Sequence, residues 1–272
     1  MNKTNNLTPR PDSGIHSSHK ATKDLEALTG RQSKVLAAIV KENSENGQPV
    51  ASRDLSGKYS FDISAATIRN EMQVLEKLGY IAQPHTSSGR IPTDEGFRYF
   101  VNQLMDKVKL SMREQQNLRK EVMKLQLVNA EVGRRLAKLL TAHTAQASFA
   151  ILPQEISSTG LSNILANKNL SPEDSKEIAQ FFDHLDEYAD NMIAEYGDQS
   201  AKAVIGKELK LSKHSDYSMI VSGVKLPSGK KGVIGLLGPK SMHYQKNLSL
   251  MDYITKLIGG GAAVVLLIIL TR

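Results

Sequence analysis

The sequence predicts an α+β protein with an N-terminal winged helix-turn-helix, a long connecting helix and a reduced α+β C-terminal domain. Three amphipathic helical patterns lie between residues 29 and 78, separated by short turns. Two short strand patterns around a polar loop follow the third helix, as the wing of a winged helix requires. Beyond residue 150, β-branched runs at 203–205, 217–225 and 232–237 are interspersed with helical patterns.

The composition excludes several kinds of site. The 272-residue chain has no cysteine, so it can form no disulfide framework, thiolate metal site or thiol nucleophile. The polar N-terminus lacks the pattern of a secretory signal peptide, and we predict a cytoplasmic protein. The net charge of +7 permits a nucleic-acid partner. However, residues 1–100 are nearly balanced and residues 153–200 are acidic, so local geometry must identify any DNA surface.

Composition and periodicity divide the chain into five parts. We predict a disordered leader at 1–28, a winged-helix DNA-binding domain at 29–104, a long connecting helix at 105–150, a regulatory or dimerisation domain at 151–258 and an apolar tail at 259–272. The leader has too few apolar residues to offset the entropy of ordering. The tail is too short and too glycine-rich for a membrane helix, so we expect it to pack on the domain or at a dimer contact.

Polar caps mark where the first helices begin. Thr29 and Gln32 fit a capping box, and we predict that Ser52 and Ser64 cap the second and third helices. Two short helices, a turn and a third helix form the plan of a helix-turn-helix.

The third helix carries the candidate base-reading residues. Ile68, Met72, Leu75 and Leu78 share the apolar face expected to point to the core. The residues off that face are Ser64, Ala65, Ala66, Thr67, Arg69, Asn70 and Gln73. Alanine lets the backbone approach base edges, arginine can bind guanine and asparagine can bind adenine. The alternative is an ordinary amphipathic helix with a polar outer face.

The wing supplies candidate contacts to the DNA backbone. We predict strands at Tyr80–Ala82 and Arg90–Ile91 around a polar loop, with Pro92 ending the pairing and Thr93 capping the next helix. Short donors and cations suit phosphates or the minor groove. The backbone-contact residues are Ser52, Arg53, His85, Thr86, Ser87, Ser88, Arg90, Thr93 and Arg98. A solvated hairpin tip is the alternative for the loop, and Arg98 could equally pair with Asp94.

The connecting segment has a near-heptad apolar stripe. Steps of three and four residues link Leu118, Val122, Leu125, Val128, Val132, Leu136 and Leu139. One long helix over Met105–Ser148 is predicted, although Gly133 weakens a continuous coiled coil. The stripe could pack on a second copy or on the chain's own C-terminal domain.

The C-terminal half is predicted to contain further helices and strands. Residues 153–170 indicate a linker and a short helix, and Ser171 with Pro172 starts a helix that extends to Ile193. Strands are predicted at Ala203–Ile205, Tyr217–Lys225 and Gly232–Leu237, with a last helix at Met242–Ile258.

No pattern of catalytic residues emerges. The glycines and lysine of 235–241 lack the spacing of a phosphate-binding loop, and a proline stands where a backbone N–H would cradle phosphate. His16 and His19 are the closest histidine pair, and no carboxylate joins them. We therefore predict no enzyme activity, no metal and no cofactor.

The strings R-Q-S-K-V-L-A-A-I-V (31–40), S-A-A-T-I-R-N-E-M (64–72) and L-E-K-L-G-Y-I-A-Q-P-H-T-S-S-G-R-I-P-T-D-E-G-F-R-Y-F-V (75–101) resemble HrcA, a family of bacterial heat-inducible transcription repressors. G-L-S-N-I-L (160–165) and G-V-I-G-L-L-G-P-K-S-M-H-Y (232–244) resemble its GAF-like C-terminal domain. Ala51 departs from the glycine usual in the family. Members carry more sequence before the G-L-S-N-I-L segment, including a dimerisation region, so the resemblance predicts a shortened C-terminal half.

The resemblance implies repression of heat-shock (chaperone) genes by a homodimer bound to an inverted-repeat operator called CIRCE, with the GroEL chaperonin as a further partner. The alternative is a winged-helix regulator that senses a small molecule through its GAF-like domain. A third interpretation is a winged helix used for protein contacts.

Overall fold

The computed structural model describes residues 28–86, 88–106, 108–126, 131–167, 170–209, 216–226 and 228–259. The N-terminal domain consists of α1 (Gly30–Asn46), α2 (Ser52–Lys58), α3 (Ala65–Lys77), β1 (Ile81–Ala82), β2 (Ile91–Pro92), α4 (Asp94–Tyr99) and a π-helical turn (Phe100–Leu104). This order of elements confirms the predicted winged helix-turn-helix.

The polar caps set the helix starts, with one correction. The Thr29 hydroxyl accepts from the backbone N–H of Gln32 and Ser64 accepts from that of Thr67, so both caps are confirmed. The prediction that Ser52 caps α2 is wrong. Ala51 occupies the cap position, and its N–H donates to the Asp54 carboxylate at 3.2 Å. The carboxylate of the third helical residue therefore satisfies the N–H of the cap residue, and no side chain at the cap position accepts from the first turn of α2.

The wing is a two-stranded ribbon joined to the start of α2. β1 and β2 are antiparallel, with Ile81 opposite Pro92, so the prediction that Pro92 ends the pairing is wrong. Proline fits there because a two-stranded ribbon does not need every N–H. Val50 adds a bridge: its N–H donates to the carbonyl oxygen of Arg90 at 2.8 Å and its own carbonyl accepts from the N–H of Arg90 at 2.9 Å. The wing is thus anchored to the helix-turn-helix by backbone hydrogen bonds.

The predicted long helix at 105–150 is wrong. That span contains α5 (Met112–Gln126), α6 (Val132–Thr144) and strand β3 (Ala147–Leu152). The start of α6 is fixed by a distant carboxylate, because Glu155 accepts from the N–H groups of Gly133 at 2.9 Å and Arg134 at 2.8 Å. Such a cap satisfies free N–H groups of the first turn and favours a new helix over a continuous one.

The apolar stripe of the two helices packs within the chain. Leu118 and Val122 of α5 and Leu136 of α6 are buried in one hydrophobic core with residues of the C-terminal domain. The structure therefore answers the open question about this stripe in favour of the chain's own C-terminal half for its described members; Val128 lies outside the described residues.

The C-terminal half is an α+β domain around an antiparallel sheet. The remaining elements are β4 (Glu155–Thr159), α7 (Leu161–Leu165), α8 (Pro172–Asp183), α9 (Leu185–Tyr196), β5 (Lys202–Ile205), a 3₁₀ turn (Gly206–Leu209), β6 (Tyr217–Lys225), β7 (Lys231–Pro239) and α10 (Tyr244–Gly259). The described strands are ordered β4-β3-β7-β6-β5. One face packs against α5, α6 and α10, and the other against α7, α8 and α9. The α+β prediction is confirmed.

Two local predictions in this half need correction. The expected linker at 153–170 contains edge strand β4 before the short helix α7. The single helix expected from Ser171 to Ile193 is divided at His184 into α8 and α9. The Ser171 hydroxyl does accept from the N–H of Asp174, as the start signal predicted.

The two domains share one core and a set of ion pairs. The rings of Phe97 and Tyr244 lie 5.8 Å apart across the junction. Lys240 Nζ contacts Asp94 Oδ1 at 2.8 Å and Asp216 Oδ1 at 3.1 Å. Burial alone would lower the pKa of Lys240, but the hydrogen bonds and charges of the two carboxylates outweigh it and raise that pKa. The charged form of this lysine therefore stabilises the domain junction.

The predicted leader and tail lie almost wholly outside the described residues. Leu28, assigned to the leader, is buried in the winged-helix core, and its N–H donates to the Tyr99 hydroxyl at 3.3 Å. The apolar tail is described only at Gly259, the last residue of α10. Among the described residues, no helix is long and apolar enough to cross a membrane.

The close approach of α4 to the wing gives a testable prediction. A Cβ at Gly96 would overlap the carbonyl oxygen of Tyr80, whereas a Cβ at Gly57 in α2 would meet nothing within 4 Å. We expect Gly96→Ala to lower the free energy of unfolding by about 3 kcal/mol, since backbone must move to make room. Gly57→Ala should leave it unchanged or raise it by about 0.5–1 kcal/mol. Urea denaturation measures both, and equal effects would contradict the packing argument.

Candidate nucleic-acid interface

Helix α3 divides into a buried and an exposed face. Ile68, Met72 and Leu75 are buried in the core, as the spacing predicted, and Leu78 is half-buried. On the outer side, Ala66, Asn70 and Gln73 follow one another at helical spacing and Arg69 lies beside them. All four are exposed. The outer face is therefore small at its N-terminal end and rich in donors further along.

The polar side chains of this face are not used inside the protein. Within the described part of the chain, no hydrogen bond or ion pair engages the side chains of Arg69, Asn70 or Gln73. Ala65 and Thr67 are half-buried, so only part of each residue is accessible to solvent. A guanidinium and two carboxamides that face solvent can form the bidentate hydrogen bonds by which proteins read purine edges.

Ser64 closes the N-terminal end of α3. Its Oγ lies 3.2 Å from the backbone nitrogen of Thr67 and 3.0 Å from the Thr67 hydroxyl. A Ser64 Oγ used as a cap satisfies one of the free N–H groups of the first turn and leaves the others available. The partial positive charge of those groups favours an approaching phosphate.

The wing loop is held by its own side chains. The N–H of His85 donates to Ser88 Oγ at 3.0 Å, and that hydroxyl donates to the carbonyl oxygen of His85 at 2.7 Å. Gln83, which the sequence analysis missed, donates from Nε2 to the carbonyl oxygens of Thr86 at 2.9 Å and Ser88 at 3.0 Å. Ser88 therefore shapes the turn, while the side chains of His85 and Thr86 are exposed at its tip. Ser87 lies outside the described residues.

Arg90 connects the wing to the recognition helix. Its Nε and one terminal nitrogen both lie 3.0 Å from Glu76 Oε2, and its side chain is only 17% exposed. Two donors on one carboxylate fix the direction of the guanidinium. The sequence analysis missed Glu76, because nothing local indicates that residues fourteen apart will meet.

Of the predicted backbone contacts, Thr93 and Arg98 are engaged inside the protein, and Ser52 is buried. Thr93 Oγ1 donates to the carbonyl oxygen of Gly79 at 2.6 Å and accepts from the N–H of Gly96 at 3.1 Å. Ser52 is 8% exposed. Arg98 binds the Glu208 carboxylate through two nitrogens and donates to the carbonyl oxygen of Ala203 at 2.9 Å.

Arg98 therefore holds the C-terminal domain and does not pair with Asp94, which the sequence analysis had considered. Of the predicted backbone-contact cations on helices, Arg53 on α2 is exposed. Across the described residues, no cluster of three or more His, Asp or Glu side chains could hold a metal ion.

A polar clamp sets α2 against α1. Glu42 Oε1 lies 2.7 Å from Lys58 Nζ and accepts from the Tyr59 hydroxyl at 2.9 Å. The hydrogen bond from Lys58 holds the pKa of Glu42 below its ordinary value of 4.5 against the opposing effect of burial. Burial and the hydrogen bond to Glu42 raise the pKa of Tyr59 to about 12. Because α2 packs directly on α3, this clamp contributes to the position of the recognition helix.

The fold and this surface define a winged-helix DNA-binding protein with an α+β C-terminal domain. Residues 27–106 match the family model described as "Winged helix-turn-helix transcription repressor, HrcA DNA-binding", and residues 92–248 match "HrcA protein C terminal domain". The second match alone covers more than half of the chain. The chain belongs to the HrcA family.

The similar proteins match less than half of this chain. The "Heat-inducible transcription repressor HrcA" of Roseiflexus castenholzii is 43% identical over 128 residues, which span 46% of this chain and 35% of that protein. The protein of the same name from Carboxydothermus hydrogenoformans is 51% identical over 90 residues, 33% of this chain and 26% of that one. The matched part is thus at most about a third of these relatives' length. A crystal structure described as a hypothetical protein has a similar fold, with a TM-score of 0.65 at 21% identity, covering 85% of this chain and 96% of that one.

The clamp between α1 and α2 gives a prediction with a pH dependence. The Glu42 carboxylate is 9% exposed, whereas that of Glu45, also 2.7 Å from Lys58, is 51% exposed. At pH 7 we expect Glu42→Gln to lower the free energy of unfolding by about 1–2 kcal/mol and Glu45→Gln by less than about 0.5 kcal/mol.

The sign follows from the lowered pKa of Glu42: its contribution is present above the unfolded-state value near 4.5 and is lost as pH falls through the folded-state value. The stability difference between the wild type and Glu42→Gln should therefore shrink as the pH falls below 4.5. Urea denaturation between pH 3 and 7 measures it. A difference that stays constant over this range would refute the charged clamp.

Proposed function

We propose that this protein represses transcription of heat-shock (chaperone) genes by binding an inverted-repeat, CIRCE-type operator as a homodimer. The observation that carries the proposal is the outer face of α3, where Arg69, Asn70 and Gln73 are exposed and engaged by nothing else among the described residues. The names of the relatives, which describe heat-inducible transcription repressors, support the choice of genes.

The recognition helix would enter the major groove by its N-terminal end. The side chains of Ala65 and Ala66 are too small to hold the helix away from the bases. Their methyl groups, like that of Thr67, can pack against the methyl group of a thymine. Arg69 and Asn70 would then contact purine edges, with Gln73 one turn further along. Ser64 would direct the first-turn N–H groups at a phosphate.

The backbone contacts would come from fewer residues than the sequence suggested. The described candidates are Arg53, which is exposed in the first turn of α2, and the tip residues His85 and Thr86. The Gln83 and Ser88 hydrogen bonds would present that tip in a fixed conformation. Because the tip is preorganised, less conformational entropy is lost when it meets DNA.

Repression would require two copies of the reader. An inverted repeat presents two identical half-sites related by a two-fold axis, and a symmetric dimer places one recognition helix on each. We propose that the GroEL chaperonin is a further partner and that the protein acts in the bacterial cytoplasm. Both follow from membership of the family.

A mobility-shift experiment at fixed salt tests the reading face. The wild type should prefer an inverted-repeat operator over a scrambled duplex, and Arg69→Ala or Asn70→Ala should each reduce that preference by about 5- to 100-fold, the worth of one bidentate base contact. Arg119→Ala, an exposed arginine of α5, is the matched control and should change nothing. Two protein copies per bound operator are expected. If the wild type binds both duplexes equally, the proposal fails.

A second experiment separates a wing-positioning role of Arg90 from direct phosphate contact. Because Arg90 is paired with Glu76, we expect Arg90→Ala and Glu76→Gln to weaken binding to operator and scrambled DNA alike, each by about three- to tenfold, with little change in salt dependence. A direct phosphate contact predicts a different result: Arg90→Ala alone would weaken binding and would lower the salt slope by about one. Titrations at several salt concentrations distinguish the two.

A further inference from the structure

A cleft of about 430 Å³ lies between the winged-helix domain and the C-terminal domain. Its walls come from α4 and the π-helical turn on one side, from β5 and α10 on the other, and from the segment that precedes α5. It lies away from the reading face of α3, since none of the exposed α3 residues lines it. Its position at the domain junction gives a bound molecule contact with both halves of the protein.

The charges of the cleft are unbalanced. Arg98, Lys109, Lys202 and Lys256 line it, and Asp252 is the acidic residue among the lining side chains. Asp252 is already used, because Oδ1 accepts from the N–H of Ala201 at 3.0 Å. Within the described residues, no ion pair engages the three lysines. Arg98 is already paired with Glu208, but the three lysines repel one another, and an anion placed among them would lower that repulsion.

The neighbouring junction shows the contrast. There Lys240 lies between Asp94 and Asp216, with carboxylate oxygens at 2.8 Å and 3.1 Å from its Nζ. The cleft has cations of the same kind without such partners from the described chain. The difference points to a ligand that supplies the negative charge.

The rest of the lining is partly polar, with Asn102, Ser200 and Ser249, and partly apolar. The apolar part comes from Val101, Met105 and Val108 and from Leu110 and Leu248, which are both largely buried. A ligand that fits must therefore carry an apolar portion as well as an anionic group, because a bare anion would leave these side chains in contact with water.

We propose that this cleft binds a small amphipathic anion, a carboxylate or phosphate that carries a short apolar chain or ring. The anionic group lies beside Lys202 and Lys256, and the apolar portion lies against Val101 and Leu248. Since the ligand touches both domains, it stabilises the arrangement in which they are packed together. If the proposed operator binding holds, ligand and operator affinities are linked and each changes the other by the same factor.

Titration calorimetry of the full chain without DNA tests the site, so its outcome does not depend on the proposed repressor function. Octanoate is the probe, and octylammonium, 1-octanol and inorganic phosphate are the comparison compounds. We expect one octanoate per chain, bound at least tenfold more tightly than any of the other three and more weakly as salt is raised. Equal binding of octanoate and octylammonium, or of octanoate and inorganic phosphate, would overturn the proposal.

Matched variants locate the binding. Lys256→Ala and Lys202→Ala should each weaken octanoate binding at least fivefold, whereas Lys246→Ala, an exposed lysine of the same helix α10 outside the cleft, should leave it unchanged. Unchanged circular dichroism and melting temperature without ligand show that the variants are folded. Octanoate binding that survives both cleft substitutions would place it elsewhere and refute the site.

Discussion

The hydrogen bonds of Thr93, which caps α4, determine how the recognition helix, the wing and the C-terminal domain are placed. Its hydroxyl donates to the carbonyl oxygen of Gly79, two residues after the recognition helix ends, and accepts from the N–H of Gly96. The adjacent Asp94 accepts from Lys240 and from the backbone N–H of Lys207 in the C-terminal domain. One helical turn thus joins the end of the reader, the return strand of the wing and the second domain.

The arginines of the N-terminal domain divide between holding the structure and facing solvent. Arg90 and Arg98, 17% and 19% exposed, each bind a carboxylate through more than one nitrogen. To reach a phosphate, either arginine would have to give up its hydrogen bonds to Glu76 or Glu208, and the loss of these charge-assisted bonds opposes that movement. Arg69 has no such partner among the described residues and can meet DNA without breaking an existing contact. An arginine that is paired with a carboxylate inside the protein holds the structure, and an unpaired one is available to DNA.

The sequence alone predicted what depends on neighbours a few residues away. Thr29 and Ser64 cap helices because a hydroxyl three residues from a free N–H is a local arrangement, and the spacing of Ile68 and Met72 specifies a buried face. The long helix at 105–150 was wrong because its apolar spacing fits a straight helix and a folded-back pair equally well. The predicted helix is interrupted in part because the Glu155 carboxylate caps the start of α6, and Glu155 lies more than twenty residues further along the chain. The candidate base-reading residues could be named without the structure, but the partners of Arg90 and Arg98 could not.

The edge of the sheet shows why Arg98 is used as it is. β5 is the last strand in the described order, and its Ala203 carbonyl accepts from the Arg98 guanidinium. A carbonyl at a sheet edge needs a partner, and here the DNA-binding domain supplies it. The internal geometry of the reader depends on apolar packing, on hydrogen bonds and on the Glu42–Lys58 and Arg90–Glu76 ion pairs. Its attachment to the sheet depends in part on ion pairs beside a cationic cleft, so bound anions act on the relation between the domains.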